Sequence, residues 1–227
     1  SQKGGSKGPR KKGKEKRSKS GQTQEIGRLP SAGDRDTHSE AYDALVLYEQ
    51  GDLEGAISAW QRGAKDSGGK EAREKFVLAT SVKKYLALAQ SEGGRGQVDV
   101  RIQALTKAMS FHERLSQGKK GPMGDKIASL LTDALVSKGD ESMTGERFGE
   151  ALLFFKRALE IYPGGTKAQE GLGRLEQKAE DIYRQAYVLE KVNSEEALEK
   201  YKQILTMVSP QNEYYIKAQE KVAAHKK

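Results

Sequence analysis

The sequence predicts an all-α protein, a solenoid of stacked helical hairpins preceded by a disordered basic tail. Three observations carry that reading. From about residue 41 to the C-terminus, apolar residues recur three and four apart, which puts them on one face of a helix. The breaks between these runs carry turn chemistry: "DSGGK", "SEGGRGQ", "SQGKKGPMGD", "YPGGT", "KVNSEE" and "VSPQN". No stretch between turns alternates with period two, so no sheet is expected.

Taken in order, residues 1 to about 36 hold Gly, Lys, Ser and Arg with almost no large apolar side chain. Such a segment cannot bury enough surface to offset its ordering entropy, and disorder is the expectation. Thr37 and Glu40 then stand at the spacing of a capping box. The first helical pattern follows, with Ala41, Ala44, Leu45, Leu47 and Tyr48, and Gly51 ends it. Further helical segments are expected near 53–66, 70–91, 97–117, 125–143, 147–161, 166–191, 194–208 and 212–225. Asn193 with Glu196 forms a second candidate capping box. About nine helices joined by short turns imply antiparallel neighbours, and the domain boundaries become a tail over 1–36 and a helical domain over 37–225.

Charge divides the chain at the same place. Residues 1–20 carry nine cations (Lys3, Lys7, Arg10, Lys11, Lys12, Lys14, Lys16, Arg17 and Lys19) against Glu15. That accounts for the whole formal excess of +8; the remaining 31 cationic and 31 acidic side chains balance. Any attraction to a polyanion therefore belongs to the tail. There is no Cys, which excludes disulfides, thiolate metal sites and a Cys nucleophile. No run approaches the roughly 18 apolar residues of a membrane span. Nor does a charged-then-apolar leader open the sequence. The expected location is cytoplasmic, for this chain or for a longer protein of which it is part.

Three stretches repeat one another. "YEQGDLEGAISAWQRGAK" places Leu53, then Ala56, Trp60 and Gly63. "TGERFGEALLFFKRALEIYP" places Phe148, then Ala151, Phe155 and Ala158 at the same spacing, and closes on Pro163. "NSEEALEKYKQILTMVSP" gives Ala197, Tyr201 and Ile204, and closes on Pro210. These stretches resemble the second helix of the tetratricopeptide repeat, whose units average about 34 residues in two helices. The resemblance spans about 38 to 225. It lies in the second helices, with a degenerate pair over 70–117 and a capping helix near 212–225. First-helix signatures are sparse: in the middle copy, Gly139 fits the pattern while Leu135 and Lys138 do not. The resemblance implies that Trp60, Phe155 and Tyr201 are packing residues.

The chemistry of an enzyme is not found. His38, His112 and His225 are scattered, with no pair at metal-ligand spacing. "SEGGRGQ" lacks the phosphate-loop pattern and follows no strand. Carboxylate pairs such as Asp140/Glu141 and Glu195/Glu196 lie at helix ends, where the helix dipole or solvent accounts for them. No catalytic residue, cofactor or metal is expected.

The resemblance also implies a groove lined by first helices. Carried across, its positions are Ala41, Leu45 and Tyr48, then Val136, Asp140 and Met143, then Ile182, Tyr183, Ala186 and Leu189. These are apolar or acidic. They do not support the family's Lys/Asn clamp for a terminal carboxylate, and an apolar or amphipathic helix suits them better. The other reading of the same residues is core, with the groove filled by neighbouring helices. Functionally, the expectation is a non-enzymatic adaptor or scaffold that binds a partner peptide or helix. The alternative is a contact of the polybasic tail with nucleic acid or an anionic membrane, steeply salt-dependent and without sequence preference.

Overall fold

The structure, a computed structural model, describes residues 43–66, 69–91, 97–119 and 121–225. All of them belong to one unit, Ala32–Lys227. Helix α1 covers 43–49 within this range. It is followed by α2 (Leu53–Asp66), α3 (Lys70–Ser91), α4 (Val98–Ser116), α5 (Pro122–Thr144), α6 (Phe148–Ile161), α7 (Thr166–Leu189), α8 (Ser194–Met207) and α9 (Glu213–Ala224). No strand occurs among the described residues. The tail, the Thr37–Glu40 capping box and Ala41 lie outside them.

The helices stand where the apolar spacing places them, and the shifts at their ends have local causes. Helix α5 begins at Pro122, ahead of the expected 125. A proline at the first helical position loses nothing by lacking an N–H, and its φ is already helical. Helix α7 stops at Leu189, whose carbonyl accepts from the Asn193 N–H at 2.7 Å. Asn193 then caps α8. Its Oδ1 accepts from the Glu196 N–H at 3.2 Å, and its own amide donates to Glu196 Oε2 at 3.1 Å. The returning arm of this capping box thus ends on the Asn side chain, not on its backbone. Asn212 caps α9 in the same way, accepting from the Tyr214 N–H at 2.9 Å. Between α1 and α2 the chain turns on Gly51 at φ +92°, a conformation that favours glycine.

Each helix packs on its neighbours in sequence, most extensively within the pairs α3–α4, α5–α6 and α7–α8. Contacts also join α5 to α7, α6 to α8 and α7 to α9. Buried apolar side chains from α1 to α9 make one core. The repeated residues are its centre: Ala56, Ala151 and Ala197 are buried, as are Trp60, Phe155 and Tyr201. Phe155 shows why. Its ring lies between Gly139 of α5 and Gly171 of α7, and a methyl on either Cα would stand 2.5 Å from ring carbon Cε1. Bare backbone on both sides lets three helices meet on one aromatic ring, at distances no side chain would permit. Among the described residues no helix is long and apolar enough to cross a membrane.

Candidate functional site

An open groove of about 1190 Å³ runs between the end of α4, the first half of α5 and the α6–α7 turn. Helix α5 supplies one wall by simple periodicity. Asp125, Ala128 or Ser129, Thr132 and Val136 recur at steps of three or four and share a face. Helix α4 contributes His112, Glu113 and Ser116. Gly118, Lys119 and Gly121 on one side and the turn at 162–165 on the other complete it, so the punctuation that stops the helices also lines the groove.

At its floor sits His112, 5% exposed. Its Nδ1 lies 2.8 Å from the hydroxyl of Tyr48 in α1, and the two rings are 5.7 Å apart. Tyr48 also packs on Trp60 at 5.9 Å, so the groove floor is continuous with the core of the first hairpin. Burial lowers the His112 pKa, against the opposing charges of Glu113 and Asp125. Burial likewise raises the Tyr48 pKa far above the ordinary phenol value. Both groups are therefore neutral at pH 7. The Tyr48 hydroxyl has no other partner among the described residues, so it must donate to Nδ1 to avoid an orphaned buried donor. The ring proton then sits on Nε2. That nitrogen faces Gly124 of α5, where a Cβ would stand 2.6 Å away.

Two helix N-termini open onto the groove. Helix α5 starts behind Gly121 and α7 behind Gly165, and neither has a side-chain cap. The amides of Thr166 and Lys167 have no acceptor among the described residues. Charges at the rim are mostly spoken for: Lys119 pairs with Glu49 at 3.1 Å, and Lys167 with Asp133 at 3.1 Å. Ser116 lies one turn after His112 on the same face, but its Oγ hydrogen-bonds to nothing. The ring therefore does not activate it as a nucleophile. Thr132 Oγ1 is buried in the same unpartnered state. Among the described residues no three His, Asp or Glu side chains are grouped as metal ligands would be.

The groove is not where the first-helix positions alone put it. Of those residues, Val136 lines it, and Tyr48 reaches it only through His112. Tyr48, Val136, Ile182 and Ala186 are buried, while Leu45, Met143, Tyr183 and Leu189 are half-buried against the core. Asp140 is engaged by Arg174 of α7. In the last unit Tyr183 lies 5.3 Å from Tyr201 and 5.8 Å from Tyr214, so α8 and α9 cover that face. The nine tail cations lie outside the described residues. His112 escapes a reading by spacing because its partner is 64 residues away. The glycines that precede α5 and α7 were the available signal. No family model matches the chain, and no curated protein or solved structure matches it.

Proposed function

We propose that this protein is a non-enzymatic adaptor, a tetratricopeptide-like stack of hairpins that holds an extended segment of a partner protein in the groove along α5. The groove itself is the observation that carries this. At about 1190 Å³ it exceeds the range typical of small-molecule pockets. Its polar groups suit a peptide: the uncapped amides at the start of α7 can donate to carbonyl oxygens, and the exposed ring of Tyr162 offers apolar contact. The spacing shared inside the three stretches, Ala56 to Trp60, Ala151 to Phe155 and Ala197 to Tyr201, supports the tetratricopeptide reading of the stack, although Ala151 and Ala197 stand 46 residues apart. A second reading keeps the tail as the contact for a polyanion, supported by the nine cations in residues 1–20.

Ser129 is exposed on the groove face of α5, so Ser129→Arg fills the channel without entering the core. Random peptides displayed on phage and selected on the full chain should lose at least tenfold in affinity for this variant. Equal affinity for both proteins would remove the groove from the mechanism. Loss on deleting residues 1–36, with Ser129→Arg silent, would favour the tail.

A further inference from the structure

Among the described residues four buried side-chain polar atoms lack a hydrogen-bond partner, and two of them, Ser116 Oγ and Thr132 Oγ1, belong to residues that line the groove. A buried hydroxyl left unpaired is destabilising, and a ligand that accepts from it recovers the loss. The two stand in different surroundings. Ser116 ends α4, where the helix carbonyls point outward and Glu113 and Asp125 add negative charge. Thr132, 8% exposed, lies in α5, seven residues and roughly 10 Å beyond Asp125.

Beside Thr132 the groove is lined by the start of α7. Lys167 Nζ reaches Asp133, the residue after Thr132, at 3.1 Å, which ties the first turn of α7 to this part of α5. Helix α7 runs for 24 residues behind Gly165, with no side-chain cap and no acidic residue in its first turn. Its first amides, those of Thr166 and Lys167, have no acceptor among the described residues, and both residues line the same cavity as Thr132. Two amide N–H groups and one hydroxyl thus border one space, at the positive end of a long helix. The groove's lysines, Lys119 and Lys167, are already held by Glu49 and Asp133. The surplus positive charge here is therefore the partial charge of the helix end. That suits a singly charged carboxylate, whereas a phosphate dianion would meet Asp133 with no free cation to offset it.

We propose that the start of α7, with Thr132, is a carboxylate subsite, and that the segment held in the groove presents an Asp or Glu side chain there. The carboxylate accepts from the Thr166 and Lys167 amides and from the Thr132 hydroxyl. The Lys/Asn clamp of tetratricopeptide proteins is a different device, built from side chains and closed on a chain terminus. The subsite rests on the groove being a peptide site.

The test uses the full chain at pH 7 and acetylated, amidated pentapeptide libraries with uncharged random flanks and Glu, Arg or Leu fixed at the centre. A fourth library has Leu at the centre and a free C-terminal carboxylate. Binding is read by fluorescence polarisation on the native chain and on T132V, T166P, S129W and E176Q. Proline suits the first position of a helix and deletes one amide donor there. S129W fills the channel without adding charge. The Glu library should bind best. T132V and T166P should each weaken it by about tenfold and leave the capped Leu library unchanged, since each removes one hydrogen bond to a charged group. T132V should do so without loss of stability in urea, which separates a lost ligand contact from a damaged fold. Should it lose stability, T166P and the amide spectrum decide: the Thr166 and Lys167 N–H signals should shift with the Glu library and not with Leu. E176Q, exposed on α7 and outside the groove, should change nothing. If all libraries bind equally and S129W blocks them, the groove binds peptides but the carboxylate subsite is wrong. If the free-terminus library alone is favoured, the guest is a chain terminus and the proposal falls. A Glu preference that both T132V and T166P leave intact places the carboxylate elsewhere and overturns it too. If no library binds, or S129W blocks none, the peptide groove fails and the subsite fails with it.

Discussion

His112 is a neutral ring held in a place that resists protonation, and stability should record this. Burial sets its folded pKa below the ordinary value of 6.5, despite Glu113 and Asp125. The unfolded chain therefore binds the proton first, so the stabilisation is complete above pH 6.5 and is lost as pH falls below it. Melting temperature should drop between pH 7 and pH 5.5, with Tyr48, Glu113 and Asp125 the groups facing the ring. His112→Gln should flatten that slope even if it lowers stability throughout. A slope unchanged by the substitution would mean the ring is accessible to protons in the folded state. Thr132 offers a second check. Its Oγ1 is buried without a partner, so Thr132→Val exchanges an orphaned hydroxyl for a methyl of similar size. The variant should be neutral or more stable by up to about 1 kcal/mol in urea denaturation. A loss of 1 kcal/mol or more would reveal a hydrogen bond at that oxygen.

Among the elements, the joint of α5, α6 and α7 carries the clearest dependence on sequence. Gly139→Ala and Gly171→Ala each place a methyl against the Phe155 ring, where overpacking costs about 1–3 kcal/mol. The better helix propensity of Ala returns up to about 1 kcal/mol of this. Net destabilisation is expected for each, largely relieved when Phe155→Leu is combined with it, as a double-mutant cycle would show. Additive effects would mean the ring does not lie between the two glycines. Much at this scale was legible beforehand. The three-and-four spacing located the helices, and Asn193 with Glu196 marked the start of α8. The fit of Gly139 to the repeat pattern now has a physical reason in Phe155. Helix ends were less legible, because Pro122 extends α5 backward and the Asn193 N–H closes α7 early.

At the scale of the molecule, spacing marks which residues share a helix face but not which helix covers that face. Ile182, Tyr183, Ala186 and Leu189 have the pattern of a groove wall, yet α8 and α9 pack over that part of α7. The open space lies instead beside α4 and α5, lined by Gly118, Lys119 and Gly121 and by residues 162–165. That depends on contacts such as Tyr48 with His112, between residues far apart in the chain. The charge division is the reverse case, wholly legible as sequence and concentrated in residues outside the described structure. Two surfaces thus compete for the function, and they predict protection of different amides. The most direct measurement is hydrogen–deuterium exchange on the full chain, with and without a saturating selected peptide. Slowed exchange across 109–136 and 161–168, with residues 1–36 unchanged, is the expected result. Protection confined to residues 1–36, or to α8 and α9, would contradict the groove as the binding surface.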